Sequence, residues 1–168
     1  MKKLLVLATI MVIFTAGMLA QNLKIAYLDT DRIFASSNEA REAHRIFEID
    51  RQNWTSQIDE MEAEILRLER EYETRRLTLT ETARREHEER IMTRMRERQQ
   101  FIERVFGESG LAVARNNELV APIAAKLRQI IERIAVEESY SFILDRDAVL
   151  WGQESFDITE QVVNEMNR

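Results

Sequence analysis

From Met18 to Phe106 the chain contains no glycine and no proline, and this feature most constrains its fold. Within that span, apolar residues recur at intervals of seven, four and three, which places them on one stripe of a long helix. The stripe consists of Phe47, Trp54, Ile58, Met61, Ile65, Leu68 and Tyr72. Most residues around it are Glu, Arg and Gln, so the helix projects into water and contacts a partner along a narrow line. This pattern favours a binding function over catalysis.

Residues 1–20 have the three-part pattern of a secretory signal peptide. A short basic start is followed by an apolar run, Leu4 to Phe14, and then by small residues. The run is about half of the ~20 residues that a membrane-spanning helix needs, which favours a cleaved signal. We predict cleavage after Ala20, with Gly17 as the alternative, and secretion through the inner membrane into the periplasm. The sequence has no cysteine to carry a lipid anchor.

Composition argues against several function classes. Residues 21–168 carry 22 basic and 30 acidic residues, a net charge of −8, which disfavours nucleic-acid binding. Without cysteine the chain has no disulfide or thiol chemistry. His44 and His87 are isolated from other metal-ligating residues, and no glycine-rich loop is present to hold a nucleotide. The sequence therefore predicts no metal, no cofactor and no enzyme activity.

The long helix is expected to fold back on itself as an arm, residues 38–111. Three threonines lower helix propensity around residues 77–82, where we place the tip. Ser36 with Glu39 three residues later is a capping box at the start of the outgoing helix, and Thr78 with Glu81 is a second one after the tip. The return helix carries a weaker apolar stripe.

The remaining residues, 21–37 and 112–168, form a predicted base. Residues 23–29 are typical of a strand, and Tyr140–Asp145 and Ala148–Trp151 are predicted to form a β-hairpin. A three-stranded sheet that is apolar on both faces cannot bury itself within one subunit, so we expect homo-oligomerisation through the base. The candidate oligomerisation residues are Ile25, Tyr27, Phe142, Leu144, Val149 and Trp151. The predicted fold class is α+β, a single domain with a long antiparallel helical hairpin on a small β-rich base.

Both ends of the mature chain resemble the Skp/OmpH family of periplasmic chaperones. The similarity rests on Lys24–Asp29 followed by Arg32-Ile33-Phe34, on Tyr140–Trp151, and on the helix start at Asp157-Ile158-Thr159. The resemblance implies a homotrimer whose arms enclose a cavity. It also implies binding of unfolded outer-membrane proteins there, without ATP, until they reach the outer-membrane assembly machinery.

The chain departs from the best-known members of this family in charge, because they are basic and it is acidic overall. Some members bind lipopolysaccharide through basic residues on the arms, and this role is not carried over to any residue here. Only the distal arm is locally basic, with 9 Arg and 7 Glu between residues 70 and 98. Such a tip can attract acidic client segments or lipid phosphates, but its Glu–Arg spacing favours a solvated helix face.

Two interpretations of the arm residues remain open. Trp54, Ile58, Met61, Ile65, Leu68 and Tyr72 are predicted to form the seam between the two helices. Alternatively, apolar residues that the weaker return helix leaves uncovered contact unfolded chains, and the candidates are Trp54, Met92 and Phe101. A different function, that of a structural or adaptor protein of the envelope that docks on one folded partner, also fits a helical hairpin.

Overall fold

The computed structural model describes residues 23–168. The predicted signal peptide, residues 1–20, lies outside this range, as do the first two residues of the predicted base. The elements in chain order are β1 (Ile25–Leu28), α1 (Thr30–Ser36), α2 (Asn38–Arg75), α3 (Glu81–Phe106), α4 (Leu111–Glu137), β2 (Phe142–Asp145), two 3₁₀ turns (Arg146–Ala148 and Glu154–Phe156) and α5 (Thr159–Met166). No helix between residues 23 and 168 combines the length and the apolar character needed to span a membrane.

Polar side chains fix where the helices begin. The Asp29 carboxylate accepts a hydrogen bond from the Arg32 N–H at 2.8 Å and caps α1. Helix α2 is capped by Ser37, and the predicted cap at Ser36 is wrong because Ser36 is the last residue of α1. Likewise Thr80, not Thr78, caps α3.

Helices α2 and α3 form an antiparallel pair. Helix α2 has 38 residues and is therefore about 57 Å long at 1.5 Å per residue. The chain turns between Arg75 and Glu81, and α3 ends at Phe106 before Gly107. A second break precedes α4, which starts at Leu111 and continues through Pro122. The arm therefore consists of two helices that pack mainly against each other.

The sheet contains two strands in the described part of the chain. Strand β1 pairs in parallel with β2, in a register from Ile25 opposite Phe142 to Leu28 opposite Asp145. Parallel strands need a crossover connection, and helices α1 to α4 provide it. Beyond the other edge of β1, Tyr27 makes a single parallel bridge with Asp157.

The predicted β-hairpin is wrong. After β2 the Asp145 carboxylate accepts from the Asp147 N–H at 3.0 Å, and the Val149 N–H bonds the Arg146 carbonyl at 2.9 Å. These bonds form a 3₁₀ turn, and Ala148–Trp151 is not a strand. A two-residue hairpin turn needs residues that favour positive φ, and Arg146-Asp147 lacks the glycine that such turns commonly use.

The hydrophobic core lies in the base, where one face of the sheet meets residues of four helices, α1, α2, α4 and α5. Ala26 and Leu28 of β1 point into it, and most other members come from one face of α4 and from α5. The buried set is Ala26, Leu28, Ile33, Ala43, Ile123, Leu127, Ile130, Ile134, Ile158, Val162 and Met166. Both ends of the described chain therefore join in one core, and the arm projects from it.

Candidate functional site

An aromatic cluster closes the arm where it meets the base. Trp54 packs edge-on against Phe47 of the same helix, with ring centroids 6.4 Å apart, and against Phe106 of α3 at 6.2 Å. Perpendicular contacts of this kind stabilise an aromatic pair by more than the burial of its apolar area alone. Trp54 is therefore half-buried between the two helices, which fits the interpretation as a seam residue better than that as a client contact.

The middle of the arm is held by buried aliphatic residues. Ile65 and Leu68 of α2 are buried against α3, whereas Ile58 and Met61 are half-buried. Among the described residues of α3 only Val105 is buried, because its stripe is interrupted by polar residues. An ion pair also joins the helices, with the Arg98 Nη1 atom 2.6 Å from the Glu62 Oε2 atom.

Near the tip, Tyr72 makes the contacts between the helices. Its ring stacks on His87 with centroids 6.1 Å apart, and its hydroxyl donates a hydrogen bond to the Glu88 carboxylate. This hydrogen bond raises the pKa of Tyr72, because ionisation would remove the donated proton beside a carboxylate. The six predicted seam residues thus lie on the side of α2 that faces α3, buried or half-buried.

The other two candidate client contacts differ in exposure. Met92 is 60% exposed and lies in a groove beside Tyr72. Phe101 is half-buried, and the guanidinium of Arg104 lies 5.5 Å from its ring centroid. Met92 is thus the candidate with the most accessible apolar surface.

Ion pairs within single helices cover much of the arm surface. Arg67 bonds Glu64 at 2.8 Å and Glu71 at 2.6 Å, and similar pairs join Arg45 to Glu42 and Arg51 to Glu48. The hydrogen bond from Arg67 lowers the pKa of Glu64. Each such pair contributes only about 0.2–0.5 kcal/mol, so its main effect is to keep the arm soluble and helical.

The face of the sheet that points away from the core is only partly covered. Ile25, Tyr27, Phe142 and Leu144 share this face, because paired residues of parallel strands point to the same side. Phe142 is 56% exposed, and Leu144 is also exposed. The outer edge of β2 has no strand partner among residues 23–168. An exposed edge strand with apolar side chains is a surface for association.

The segment that follows β2 crosses this face. Gly152 lies against Tyr27, and an added Cβ atom there would be 2.7 Å from the Tyr27 Cε1 atom. Tyr27 is consequently buried, and Val149 is half-buried. Trp151, however, is 80% exposed, and the neighbouring Leu150 is fully exposed. Two large apolar side chains therefore extend the uncovered surface of the sheet.

Several exposed apolar residues are not among the candidates taken from the sequence. Leu66 and Met95 are exposed on the arm, and Leu150 is exposed at the base. A signal was present for Leu66, because it follows the stripe residue Ile65 and cannot share its face of the helix. Leu150 adjoins the candidate Trp151, but in the predicted strand the two side chains would point to opposite faces.

Comparison with known proteins identifies the family. The sequence model of the family described as outer membrane protein (OmpH-like) matches residues 24–166. The chain belongs to this family. The OmpH-like chain is also similar in fold to the crystal structure, at 2.83 Å resolution, of a proposed outer membrane chaperone (OmpH-like) from Caulobacter crescentus CB15. The two superpose with a TM-score of 0.79 at 15% identity, over 86% of this chain and 84% of the other.

These findings confirm the predicted fold class and the resemblance to the Skp/OmpH family. No curated protein sequence matches the chain. The identity to the Caulobacter protein, 15%, is too low to carry residue roles across.

Proposed function

We propose that this OmpH-like protein is an ATP-independent periplasmic holdase. It binds unfolded outer-membrane proteins in a cavity between the arms of a homotrimer, prevents their aggregation, and releases them to the outer-membrane assembly machinery. The observation that carries the proposal is the arm of this family member. Its two helices, about 57 Å long in α2 and about 39 Å in α3, pack mainly on each other and expose apolar side chains among charged ones.

The nature of the arm surface supports a holding function. Exposed Met92 and Met95 are flexible and polarisable, and methionine-rich surfaces adapt to many apolar sequences. Contacts of this kind are individually weak, and many together hold an extended chain. Because no single contact costs much to break, release needs no nucleotide.

The base surface supports self-association. Phe142, Leu144, Leu150 and Trp151 leave apolar surface exposed next to the open edge of β2. A second copy that covers this surface removes it from water and pairs the edge. In a closed symmetric assembly every copy has its apolar surface and its β2 edge covered in the same way. Three copies arranged in this way enclose a space between their arms.

The test is the aggregation of an outer-membrane β-barrel protein diluted from urea, followed by light scattering. We expect suppression when the mature chain is present in molar excess as its oligomer, and the native mass is measured on the same sample. Absence of suppression at excess overturns the holdase proposal. Saturable binding to a native envelope protein, with none to unfolded chains, would instead support the adaptor function.

A further inference from the structure

Building on the proposed holdase function, we propose that one groove of the arm selects apolar client segments flanked by Lys or Arg. The acidic groove, as we name it, lies on one side of the seam near the tip and has a volume of about 560 Å³. Its lining consists of Glu69, Tyr72, Glu73, Glu88, Ile91 and Met92. Three carboxylates line its apolar floor, and the cations Arg76 and Arg84 lie beside Tyr72 at the end of the groove nearest the tip.

The apolar floor continues along the arm toward the base. The contacts Glu62–Arg98 and Tyr72–Glu88 fix the antiparallel register, in which paired residue numbers sum to 160. This register places Leu66 within one residue of the level of Met95, and the helical spacing places both on the side of the arm that carries Met92. Leu66 and Met95 are 46% and 47% exposed. An extended apolar segment therefore finds several contacts in a row.

The carboxylates of the groove are available to a cation. Within residues 23–168, neither Glu69 nor Glu88 has a basic group within 4.0 Å, and Glu73 has only Arg76, at 3.6 Å. Glu88 accepts a hydrogen bond from Tyr72, which leaves its negative charge in place. Most other glutamates on α2 bond arginines of their own helix. The acidic groove is therefore complementary to a basic ligand.

The groove on the opposite side of the seam differs in charge. It is lined by Gln57, Glu60, Met61, Glu64, Arg94 and Glu97. Arg94 lies within it and bonds Glu97 at 2.8 Å, whereas Glu64 is bonded by Arg67. Two of its three carboxylates are therefore paired within the protein, and Arg94 adds a positive charge that would repel a basic ligand. This difference assigns the basic-apolar segment to the acidic groove.

The occupant is a stretch of unfolded chain with Lys or Arg beside an apolar residue. The aliphatic stem of such a side chain packs on Met92 while its charged end reaches Glu69 or Glu88. The nearby Arg96 does not compete for these carboxylates, because its guanidinium is bonded to the Met92 carbonyl at 3.3 Å and to the Thr93 hydroxyl at 3.2 Å.

The experiment compares two fluorescent, unstructured peptides that share one apolar centre and are flanked by lysines or by glutamates. Binding to the oligomer is measured by fluorescence anisotropy. E69Q/E88Q removes two charges from the groove, and the amide at 88 still accepts from Tyr72. E60Q/E86Q removes two charges outside it. We expect about three- to tenfold weaker binding of the lysine peptide with E69Q/E88Q only.

A second pair of variants tests the floor. Met92→Ser should weaken the binding of both peptides. Val113→Ser, at an exposed position on α4, should weaken the binding of neither. Equal losses from E69Q/E88Q and E60Q/E86Q would mean that net charge alone acts, and would overturn the proposed groove. If the wild-type protein suppresses barrel aggregation but E69Q/E88Q binds the lysine peptide normally, only the groove is wrong. If the wild-type protein neither suppresses aggregation nor binds either peptide, the holdase function fails as well.

Discussion

Replacing Phe142 by Asp tests the association surface of the base. Phe142 lies on the outward face of β2 and is 56% exposed in a single chain. An Asp side chain there remains solvated in an isolated protomer, so the fold of the protomer should survive. In an assembly that covers this face, the carboxylate would lose its water without gaining a partner.

The size of the effect follows from the exposed area. A phenylalanine side chain presents about 200 Å², so 56% exposure leaves about 110 Å² for a partner to cover. At about 25 cal/mol per Å², this burial contributes about 3 kcal/mol per protomer to association. Its loss lowers the association constant more than 100-fold for each protomer, and burial of the new charge lowers it further.

The assay is size-exclusion chromatography with light scattering, at one protein concentration for all variants. We expect the wild type to run as an oligomer and Phe142→Asp as a monomer with nearly unchanged helix content by circular dichroism. Leu77→Asp is the matched control, because Leu77 is 94% exposed at the far end of the arm. An unchanged mass for Phe142→Asp, or an equal loss for Leu77→Asp, would refute the placement of the interface.

Three further predictions concern the stability of the base and are checked by denaturant unfolding. Gly152→Ala should cost about 1–3 kcal/mol, because the new Cβ atom meets the buried Tyr27 ring. Ser37→Ala should cost about 1 kcal/mol through loss of the α2 cap. The Thr30 hydroxyl lowers the pKa of Asp145 below its ordinary 3.8, so this interaction stabilises the fold above that pH and is lost as the pH falls through the lowered value. Thr30→Val should therefore destabilise the protein more at neutral pH than in strong acid, and an equal effect at both would contradict this assignment.

The arm was predictable because its structure depends on local spacing. The alternation that places Ile65 and Leu68 on one stripe of α2 is independent of the rest of the chain. The helix starts were less well defined, because neighbouring hydroxyl residues offer equivalent caps. Ser36 and Ser37 both satisfy the chemistry of a cap, and only the end of α1 decides between them.

The base was harder to predict because its pairing is non-local. Ala148–Trp151 is a short apolar run, and such a run has the same local pattern in a strand as in a segment that another subunit covers. Its exposed Leu150 and Trp151 fit the proposed association, which a single chain does not encode in its periodicity. The β1–β2 pairing likewise joins segments more than 100 residues apart.

The way the base closes explains how so little sequence identity supports one fold. Hydrogen bonds join the N-terminal and C-terminal parts of the base directly. The Ser141 N–H donates to the Lys24 carbonyl at 2.7 Å, and the Asn38 N–H donates to the Asn167 side-chain oxygen at 2.8 Å. These contacts, the short sheet and the base core do not depend on the length or the surface of the arm. The arm in turn needs only its apolar stripe and helix-forming residues. Most arm positions are therefore free to change, which fits 15% identity to the Caulobacter protein at a TM-score of 0.79 and leaves the arm surface as the part where client preference can differ between relatives.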